Sequence, residues 1–246
     1  MRDIEDYTEQ YQTDSFEMEY KVPYRRKHVL KILEQYSHEN ILEIGCGMES
    51  ILESVDFQKG TIVEPSAVFA NRAKHINGVR VIQSCLEDCT DILRQEEFDF
   101  VVVSALLHEV EKPLDFLRHV HTVCMPRTVV HINVPNANSF HRLLGVKCNV
   151  CSDTHDFTER NLCLQQHSVF DAESLENMIR KAAKPTGRTI DVCSRGSFFV
   201  KPFTNSQMAA CLNSGAITKE VFEGLDRMIE FMPELGSEIY VNYRLN

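Results

Sequence analysis

The chain has 246 residues, of which 43% are apolar, enough to bury the core of one large α/β domain or two small ones. It carries 26 Lys and Arg residues against 36 Asp and Glu residues, a formal net charge of −10. That balance argues against a general DNA- or RNA-binding surface, which needs a basic stripe to neutralise phosphates, but it leaves room for a local anion pocket.

The sequence also bears on compartment and metal content. No apolar run reaches the roughly 18 residues that a membrane span needs, and the acidic start of the chain does not resemble a signal peptide. We therefore expect a cytoplasmic protein that does not enter the membrane and whose nine cysteines are thiols. Cys148 and Cys151 form a Cys-x-x-Cys pair, and His155 and Cys163 complete it only weakly. We predict a loop there and no metal.

The first three-fifths of the chain show alternating helix and strand patterns. An amphipathic helix is predicted at 26–36. Ser66 can cap a helix over 67–76, and Pro113 can open one over 114–123. Short strands rich in Val and Ile, with the continuous apolar character of strands covered on both faces, are predicted at 40–45, 60–65, 79–84, 98–106 and 128–135. Regular β-α-β alternation predicts an α/β fold with a parallel, doubly wound sheet.

The pattern changes in the last part of the chain. Strand-like segments at 188–203 and 237–245 are separated by helix candidates at 206–212 and 219–232, which predicts an antiparallel finish with a helical insertion. Residues 139–167 have no clean period, and we predict a loop-rich region beside the site. The expected organisation is one domain over 1–246, with an N-terminal lid and first helix (1–38), a ligand-binding core (39–135), substrate-side loops and a helix (136–187), and the late strands (188–246).

A glycine turn follows the first predicted strand, in the stretch ILEIGCGMES. Gly45 and Gly47 let the backbone turn sharply and leave room for a ligand, and ligands of doubly wound folds bind at the carboxyl ends of strands. The second strand ends in Glu64, nineteen residues after Gly45, where a carboxylate can accept hydrogen bonds from a ribose diol. The alternative for Glu64 is a surface acid before a turn. Together, the glycine turn and Glu64 favour a nucleoside ligand.

The charges beside this turn select among nucleosides. A dinucleotide fingerprint needs a third glycine where Ser50 stands. Glu49 and Glu43 would repel a pyrophosphate but attract an ammonium group. S-adenosylmethionine carries an ammonium, a sulfonium and a ribose and no phosphate, so the charges favour it over NAD and disfavour a dehydrogenase.

Several motifs in this order resemble the class I S-adenosylmethionine-dependent methyltransferases. LEIGCG is similar to their glycine motif, IVEPS to their ribose-binding strand end, and FDFVVVSALLHEVEKP to their fourth strand and the loop after it. HSVFDAESLENMIRKA resembles the segment before their antiparallel strands. The resemblance implies a seven-stranded, mostly parallel, Rossmann-like sheet with an antiparallel last strand, and an enzyme that converts S-adenosylmethionine to S-adenosylhomocysteine.

The resemblance also implies roles for individual residues. Glu43 would hold the amino group of the cofactor and Glu64 the ribose hydroxyls. The other expected cofactor-binding residues are Gly45, Cys46, Gly47, Pro65, Cys85, Leu86, Ser104 and Leu106.

Three histidines are candidates for the proton transfer that methylation can require. Histidine exchanges protons near neutral pH, and His108, His141 and His167 all lie on segments expected over the pocket. A single histidine is more often a structural one, so we expect at least one of the set to face the substrate.

Basic and tyrosine residues supply candidates for ligand binding in this acidic chain. One interpretation is that Arg26 binds the cofactor carboxylate and that Arg25, Arg142 and His141 bind an anionic substrate. Salt bridges to the many acids are the open alternative. Tyrosines of the N-terminal segment, with Tyr24 as a candidate substrate contact, suggest a lid over the pocket or packing on a core face; they are Tyr7, Tyr11, Tyr20 and Tyr24.

The acceptor is the least constrained part of the prediction. The phrases NVPNANSFHRLLG and MPELGSEIYV resemble a bacterial subgroup of these enzymes that includes relatives from surface-polysaccharide and natural-product biosynthesis. We expect O-methylation of a small polar acceptor, with phosphorylated and sugar-linked compounds as the candidates. A protein- or RNA-methylating enzyme and a non-catalytic cofactor-binding regulator are the alternatives. The oligomeric state stays open, with a homodimer as one possibility.

Overall fold

One mixed β-sheet organises the protein. The computed structural model describes residues 3–12 and 16–246, and within them seven strands pair in the order β3-β2-β1-β4-β5-β7-β6. Neighbouring strands from β3 to β5 are parallel, whereas β7 is antiparallel to both β5 and β6. The predicted doubly wound sheet with an antiparallel last strand is therefore confirmed. The strands are β1 (Asn40–Ile44), β2 (Lys59–Val63), β3 (Val79–Ile82), β4 (Phe100–Ser104), β5 (Val129–Pro135), β6 (Ile190–Phe198) and β7 (Glu238–Leu245).

Helices and short helical turns connect these strands. Helix α5 begins at Pro113, as its fixed φ and missing N–H predict. The helices are α1 (Ile4–Gln12), α2 (Val22–Leu33), α3 (Ala67–Ala73), α4 (Leu86–Leu93), α5 (Pro113–Thr122), α6 (Phe140–Lys147), α7 (Glu159–Cys163), α8 (Ala172–Ala183), α9 (Asn205–Asn213) and α10 (Lys219–Arg227). A π-helical turn (Glu17–Lys21) precedes α2, and 3-10 turns occupy Ile51–Ser54, Leu107–Glu109, Lys184–Thr186 and Met228–Glu230.

The central strands are buried on both faces. Successive side chains point to opposite sides of the sheet, and each side packs in its own apolar cluster. Leu42 and Val101 belong to one apolar cluster, and Ile41, Phe100 and Val102 belong to another. Each fully buried Leu, Ile, Val or Phe side chain contributes roughly 1.5–3 kcal/mol. These two layers hold the carboxyl ends of β1, β2 and β4 at one edge of the sheet.

A third apolar cluster joins the N-terminal segment to the late helices. Phe16, Phe198, Phe199, Met208 and Phe222 form its buried part. The predicted helical insertion between the last two strands is therefore present, and it packs against the segment that leads into α2.

Residues 139–167, predicted to be rich in loops, contain two helices, α6 and α7, between loops. Two other local predictions are wrong. The first predicted helix begins earlier, at Val22. Ser66 stands at the N-cap of α3 without a side-chain capping bond, because its hydroxyl pairs instead with Thr8 Oγ1 at 3.1 Å.

No helix in the described ranges has both the length and the apolar character required to cross a bilayer.

Candidate active site

The turn after β1 requires glycine at two positions. Gly45 has a φ of 77° and Gly47 a φ of 57°, a region that glycine enters without strain. A Cβ at Gly45 would lie 2.9 Å from Leu106 Cδ2, whereas a Cβ at Gly47 would have nothing within 4 Å. The backbone N–H of Gly45 donates to Val63 O at 2.8 Å. The turn thus packs against the ends of β2 and β4 and leaves open space beside Gly47.

That space belongs to a cavity of about 480 Å³ at the carboxyl edge of the sheet. Its walls come from the ends of four strands and from the first two helices. All eleven residues that we predicted to contact the cofactor line it, namely Arg26, Glu43, Gly45, Cys46, Gly47, Glu64, Pro65, Cys85, Leu86, Ser104 and Leu106.

Glu64 is buried beneath the glycine turn. Its Oε1 accepts from the backbone N–H of Ser66 at 2.9 Å, and its Oε2 accepts from the N–H of Gly47 at 3.3 Å. Burial raises the pKa of this carboxyl, and the backbone hydrogen bonds oppose that rise. The two hydrogen bonds fix the carboxylate at the cavity wall, in an orientation that leaves acceptor capacity for a ribose diol.

Glu43 is the second buried acid of the cavity. Its carboxylate accepts from the hydroxyl of Ser50 and from the N–H of Ile51, the latter at 3.1 Å. Burial raises the pKa of Glu43 to about 7, and the hydrogen bonds and Arg26 oppose the rise. A carboxylate that is buried away from water is stabilised by any cation that reaches it, such as an ammonium group.

Ser50 has a different structural role from the third glycine of a dinucleotide fingerprint. It caps the short 3-10 turn Ile51–Ser54 by accepting from Leu52 N–H at 3.0 Å. A pyrophosphate site needs the N-terminus of a helix at this point, and the chain forms only four helical residues here. The local structure therefore agrees with a cofactor that has no phosphate.

The ends of β3 and β4 form the far wall of the cavity. Cys85 is exposed and Leu86 is buried at the start of α4. Ala105, between Ser104 and Leu106, has a φ of 52°, a strained conformation that non-glycine residues keep mainly at functional sites. The N–H of Ala105 donates to Asn133 O at 2.9 Å, which holds the strained residue against β5.

Two arginines reach the cavity from α2. Arg25 is buried, and its Nε and Nη2 bind the carboxylate of Glu238 at 2.6–2.9 Å. Arg26 Nη1 lies 3.1 Å from Glu49 Oε2, and its Nη2 donates to Ser54 Oγ at 2.7 Å. Both residues line the cavity while their guanidinium groups contact protein partners.

A family match extends over most of this architecture. Residues 18–182 match the model of a family described as a methyltransferase domain, which is more than half of the chain. The chain belongs to this methyltransferase family. Curated proteins give no significant match to the methyltransferase.

Solved structures resemble the methyltransferase along most of its length. A possible histamine N-methyltransferase from Thermotoga maritima is 18% identical, with a TM-score of 0.63 over 96% of this chain and 94% of that chain. The plantazolicin methyltransferase BamL, solved with a triazolic desmethylPZN analog and SAH, is 14% identical, with a TM-score of 0.59 over 94% and 88%. The N-methyltransferase NodS from Bradyrhizobium japonicum, solved with S-adenosylhomocysteine, is 13% identical, with a TM-score of 0.53 over 94% and 88%. At these low identities, the structural matches show a common fold.

Family and fold together make the protein a class I S-adenosylmethionine-dependent methyltransferase. S-adenosylmethionine is its cofactor and S-adenosylhomocysteine its product.

The structure places the three predicted catalytic histidines of the methyltransferase outside the cavity wall. His108 is buried, and its Nε2 lies 3.7 Å from Glu109 Oε1. His141 Nδ1 pairs with Ser139 Oγ at 3.0 Å. His167 is exposed, and its N–H donates to His108 O. A direct contact of His108 or His167 with the reacting atoms therefore does not fit this geometry.

Two of the predicted substrate-binding residues also lie elsewhere. Arg142 donates to the carbonyls of Thr154 and Asp156, each at 2.5 Å, and so ties down the loop before α7. Tyr24 stacks on Phe199 and meets the edge of Phe222, with ring centroids 5.3 and 5.1 Å apart. Both side chains have structural partners that the sequence did not reveal, whereas Arg25 does reach the cavity.

The predicted tyrosine lid is divided between two places. Tyr7 lines the cavity together with Ile4 of α1, whereas Tyr20 packs with Phe16 and Phe222. The side chain of Tyr11 lies outside the described residues.

Sequence reasoning missed Glu109, a buried acid in the 3-10 turn after β4 that lines the cavity. Its position beside His108, in a loop already predicted to contact the cofactor, was the available signal. Val22 and Lys112 also line the cavity, and no sequence pattern distinguished them.

The Cys-x-x-Cys pair has no visible part in this site. Cys148 is an exposed thiol and Cys151 a half-buried one. Among residues 3–12 and 16–246, no group of three or more His, Cys, Asp and Glu side chains is arranged to hold a metal ion.

The two glycines give a matched test of the turn. Gly45→Ala should lower the free energy of unfolding by roughly 2–4 kcal/mol, because the methyl meets Leu106 and the positive φ is strained. Gly47→Ala should cost only about 1 kcal/mol but should weaken S-adenosylhomocysteine binding, because its methyl projects into open space at the cavity. Urea unfolding and calorimetric titration measure the two effects. Equal losses of stability in the two variants would contradict the packing described for Gly45.

Proposed function

We propose that this methyltransferase transfers a methyl group from S-adenosylmethionine to a hydroxyl of a small polar acceptor, in surface-polysaccharide or natural-product biosynthesis. The observation that supports a small acceptor is the cover over the cavity. Ile4 and Tyr7 of α1 and Val22 of α2 contribute to the lining of the cavity. The cavity of about 480 Å³ also has to hold the cofactor, so the space that it leaves suits a small acceptor.

Hydrogen bonds hold this cover on two sides. Thr8 Oγ1 pairs with Ser66 Oγ at 3.1 Å, two residues beyond Glu64. The side chain of Gln165 accepts from the N–H of Asp3 at 2.9 Å and donates to Asp6 Oδ2 at 2.9 Å. A folded protein surface or an RNA loop would have to displace α1, whereas a small molecule needs only the space beneath it.

Methyl transfer requires alignment and, for a hydroxyl acceptor, removal of a proton. Glu64 and Glu43 would hold the ribose and the ammonium of the cofactor, so that the methyl points toward the end of β4. Glu109 lies at that end and lines the cavity, so we assign it the role of proton acceptor, with His108 as its neighbour 3.7 Å away. Bound cofactor would supply the sulfonium methyl for an in-line displacement.

An amine acceptor is the second candidate. Carboxylates of Glu109 and Glu111 line the cavity near the end of β4 and would attract an ammonium group. Two of the similar solved structures are named as N-methyltransferases, one of them only as a possible one. In that case the acceptor nitrogen would lose its proton to the same carboxylates.

The test is an acceptor screen with the purified protein and S-adenosylmethionine. Small sugars, sugar phosphates, hydroxy acids and amines are compared with peptides and RNA, and the readouts are S-adenosylhomocysteine release and the mass of the product. We expect turnover with small hydroxyl compounds and at least tenfold less turnover, roughly 1.4 kcal/mol in barrier, with peptides and RNA. Turnover confined to peptides or RNA would overturn the proposal, and turnover confined to amines would replace oxygen with nitrogen as the acceptor atom.

A further inference from the structure

The hydroxyl of Ser50 makes two hydrogen bonds at the start of the 3-10 turn Ile51–Ser54. It accepts from the backbone N–H of Leu52 at 3.0 Å, and it donates to Oε2 of Glu43. A hydroxyl has one proton, and the bond from Leu52 uses an oxygen lone pair, so that proton is left for the carboxylate. Ser50 therefore joins the start of this turn to an acid of the cavity wall.

Both oxygens of the Glu43 carboxylate are held by this turn. Oε2 accepts from the hydroxyl of Ser50, and Oε1 accepts from the backbone N–H of Ile51 at 3.1 Å. Ser50 and Glu43 are each 2% exposed, so both bonds are shielded from water. A carboxylate oxygen can accept more than one hydrogen bond. The two donors therefore fix the plane of the carboxylate and leave acceptor capacity for a ligand in the cavity.

Three other groups influence the charge of Glu43. Arg26 of α2 favours the ionised carboxylate, and Glu64, just after β2, disfavours it. Cys46 of the glycine turn adds no charge, because burial and the two carboxylates raise the pKa of its thiol far above neutral pH. Burial raises the pKa of Glu43, and the hydroxyl of Ser50 opposes that rise more strongly than any other neighbour. Ser50 is thus the main support for the ionised form.

The charge of Glu43 matters when the ligand carries an ammonium group. A cation binds an ionised carboxylate more tightly than a protonated one. Because the pKa of Glu43 is already raised to about 7, loss of the hydroxyl would leave the acid protonated over more of the physiological pH range. Ser50 occupies the position of the third glycine in a dinucleotide fingerprint, and glycine could not supply this donor.

We propose that Ser50 is a positioning residue for cofactor binding, whose hydroxyl orients the Glu43 carboxylate and keeps it ionised for the ammonium group of S-adenosylmethionine. Ser50 acts through Glu43, which lines the cavity, and lies behind the cavity wall itself. The inference goes beyond the proposed function, because it concerns the cofactor and holds for any acceptor.

Two ligands separate this role from a general one in folding. S-adenosylhomocysteine carries the ammonium group, and 5′-methylthioadenosine has a methyl group in place of the amino-acid chain. At pH 7, Ser50→Ala should weaken S-adenosylhomocysteine binding about fivefold to tenfold and change the Kd of 5′-methylthioadenosine by less than about twofold. Calorimetric titration measures both values. Equal losses for the two ligands would mean that Ser50 only shapes the turn and would overturn the inference.

The pH profile of binding gives a second readout. Loss of a donor raises the pKa of a carboxyl group, so the increase of S-adenosylhomocysteine affinity with pH should move upward by about one pH unit in Ser50→Ala. Ser50→Thr keeps the hydroxyl and should keep the wild-type profile. Ser50→Cys has a similar shape and a weaker donor, so its profile should lie between those of the wild type and Ser50→Ala; it replaces the alanine variant if that variant does not fold. In the Glu43→Gln background, Ser50→Ala should not move the profile.

Ser54→Ala is the matched control. It removes an exposed hydroxyl from the same turn, where Ser54 Oγ accepts from Arg26, and Arg26 keeps its partner Glu49. Neither the Kd values nor the pH profile should change. An unmoved profile in Ser50→Ala, or an equal shift in Ser54→Ala, would overturn the inference. Both ligands bind without an acceptor, so this failure is distinct from that of the proposed function, which the acceptor screen tests.

Discussion

Glu43→Gln should stabilise the cofactor-free protein at pH 8 and at the same time weaken its binding of S-adenosylmethionine. The side chain is buried, and burial raises its pKa from 4.5 to about 7. Glutamine has nearly the same shape; its carbonyl can accept from Ile51 N–H, and its amide can donate to Ser50 Oγ. The variant therefore removes the charge and keeps the packing.

The sign of the pH dependence follows from the direction of the shift. The folded state binds the proton of Glu43 more tightly than the unfolded state does, so its stabilising contribution is complete below about pH 4.5 and is lost as the pH rises through about 7. Above that pH, the ionised carboxylate costs up to about 3 kcal/mol. Glutamine does not ionise, so the variant should exceed the wild type by less than about 1 kcal/mol near pH 5 and by up to about 3 kcal/mol at pH 8.

Cofactor binding should change in the opposite direction. An ammonium group beside Glu43 favours the ionised carboxylate, so wild-type affinity should increase between pH 5.5 and 7, where the cofactor α-amino group, with a reference pKa of about 8, stays protonated. The variant should bind about tenfold to a hundredfold more weakly at pH 7, since a hydrogen bond to a charged group contributes roughly 1.5–3 kcal/mol. Its affinity should also be nearly independent of pH over that range.

Urea unfolding at pH 5 and pH 8 and calorimetric titration of the cofactor measure both effects. Glu49→Gln is the control, because Glu49 lies in the same turn with its carboxylate exposed and paired with Arg26. It should change stability by no more than about 0.5 kcal/mol at either pH. If Glu43→Gln has the free energy of unfolding of the wild type at both pH values, the charge of Glu43 does not destabilise the folded state.

The sheet could be predicted because its strands are continuous apolar runs. β1 and β4 lie within the predicted segments 40–45 and 98–106. Both predictions overran at the carboxyl end, where residues such as Gly45 and Leu106 leave the sheet and line the cavity. The errors at these strand ends therefore coincide with the candidate site. There the backbone leaves the hydrogen-bonded ladder of the sheet and lines the cavity.

The helices between 139 and 167 could not be predicted from periodicity. α6 has eight residues and none of them is buried, and its apolar spacing, Phe140, Leu143 and Leu144, extends over little more than one helical turn. α7 has five residues, and its capping box pairs Thr158 with Asn161 in place of the usual Glu or Gln. Local sequence contains no strong signal for either element.

His108 lies outside the cavity wall because of the geometry of a single turn. Residues of a 3-10 turn point in directions about 120° apart, so only part of Leu107–Glu109 can face the cavity. The structure turns Glu109 toward it and buries His108 behind. Where such a turn begins depends on the packing of β4 and β5, which the sequence does not reveal.

The partners of the arginines were equally hidden from the sequence. Arg25 and Glu238 are 213 residues apart in the chain and meet only because β7 inserts between β5 and β6. A local reading therefore cannot distinguish an arginine with a structural partner from one that binds a ligand.

Glu64→Ala should abolish the thermal shift that S-adenosylhomocysteine causes. The variant removes the acceptor of the ribose diol and also leaves the N–H groups of Gly47 and Ser66 without their present acceptor. We expect a loss of cofactor affinity of at least a hundredfold, or roughly 2.7 kcal/mol. Asp88→Ala, which removes an exposed carboxylate of the same cavity, should leave the shift nearly unchanged.

The loss in Glu64→Ala alone has two possible origins, disturbance of the glycine turn and removal of the ribose contact. A double-mutant cycle with a 2′,3′-dideoxy analogue of S-adenosylhomocysteine separates them, because only the ribose contact couples the two changes. The wild type should bind the natural ligand at least tenfold more tightly than the analogue, a difference of about 1.4 kcal/mol, and Glu64→Asp, which shortens the side chain, should discriminate less. Glu64→Ala should bind both ligands equally weakly. If the variants keep the wild-type ratio, Glu64 supports only the turn, and the ribose is held by another group.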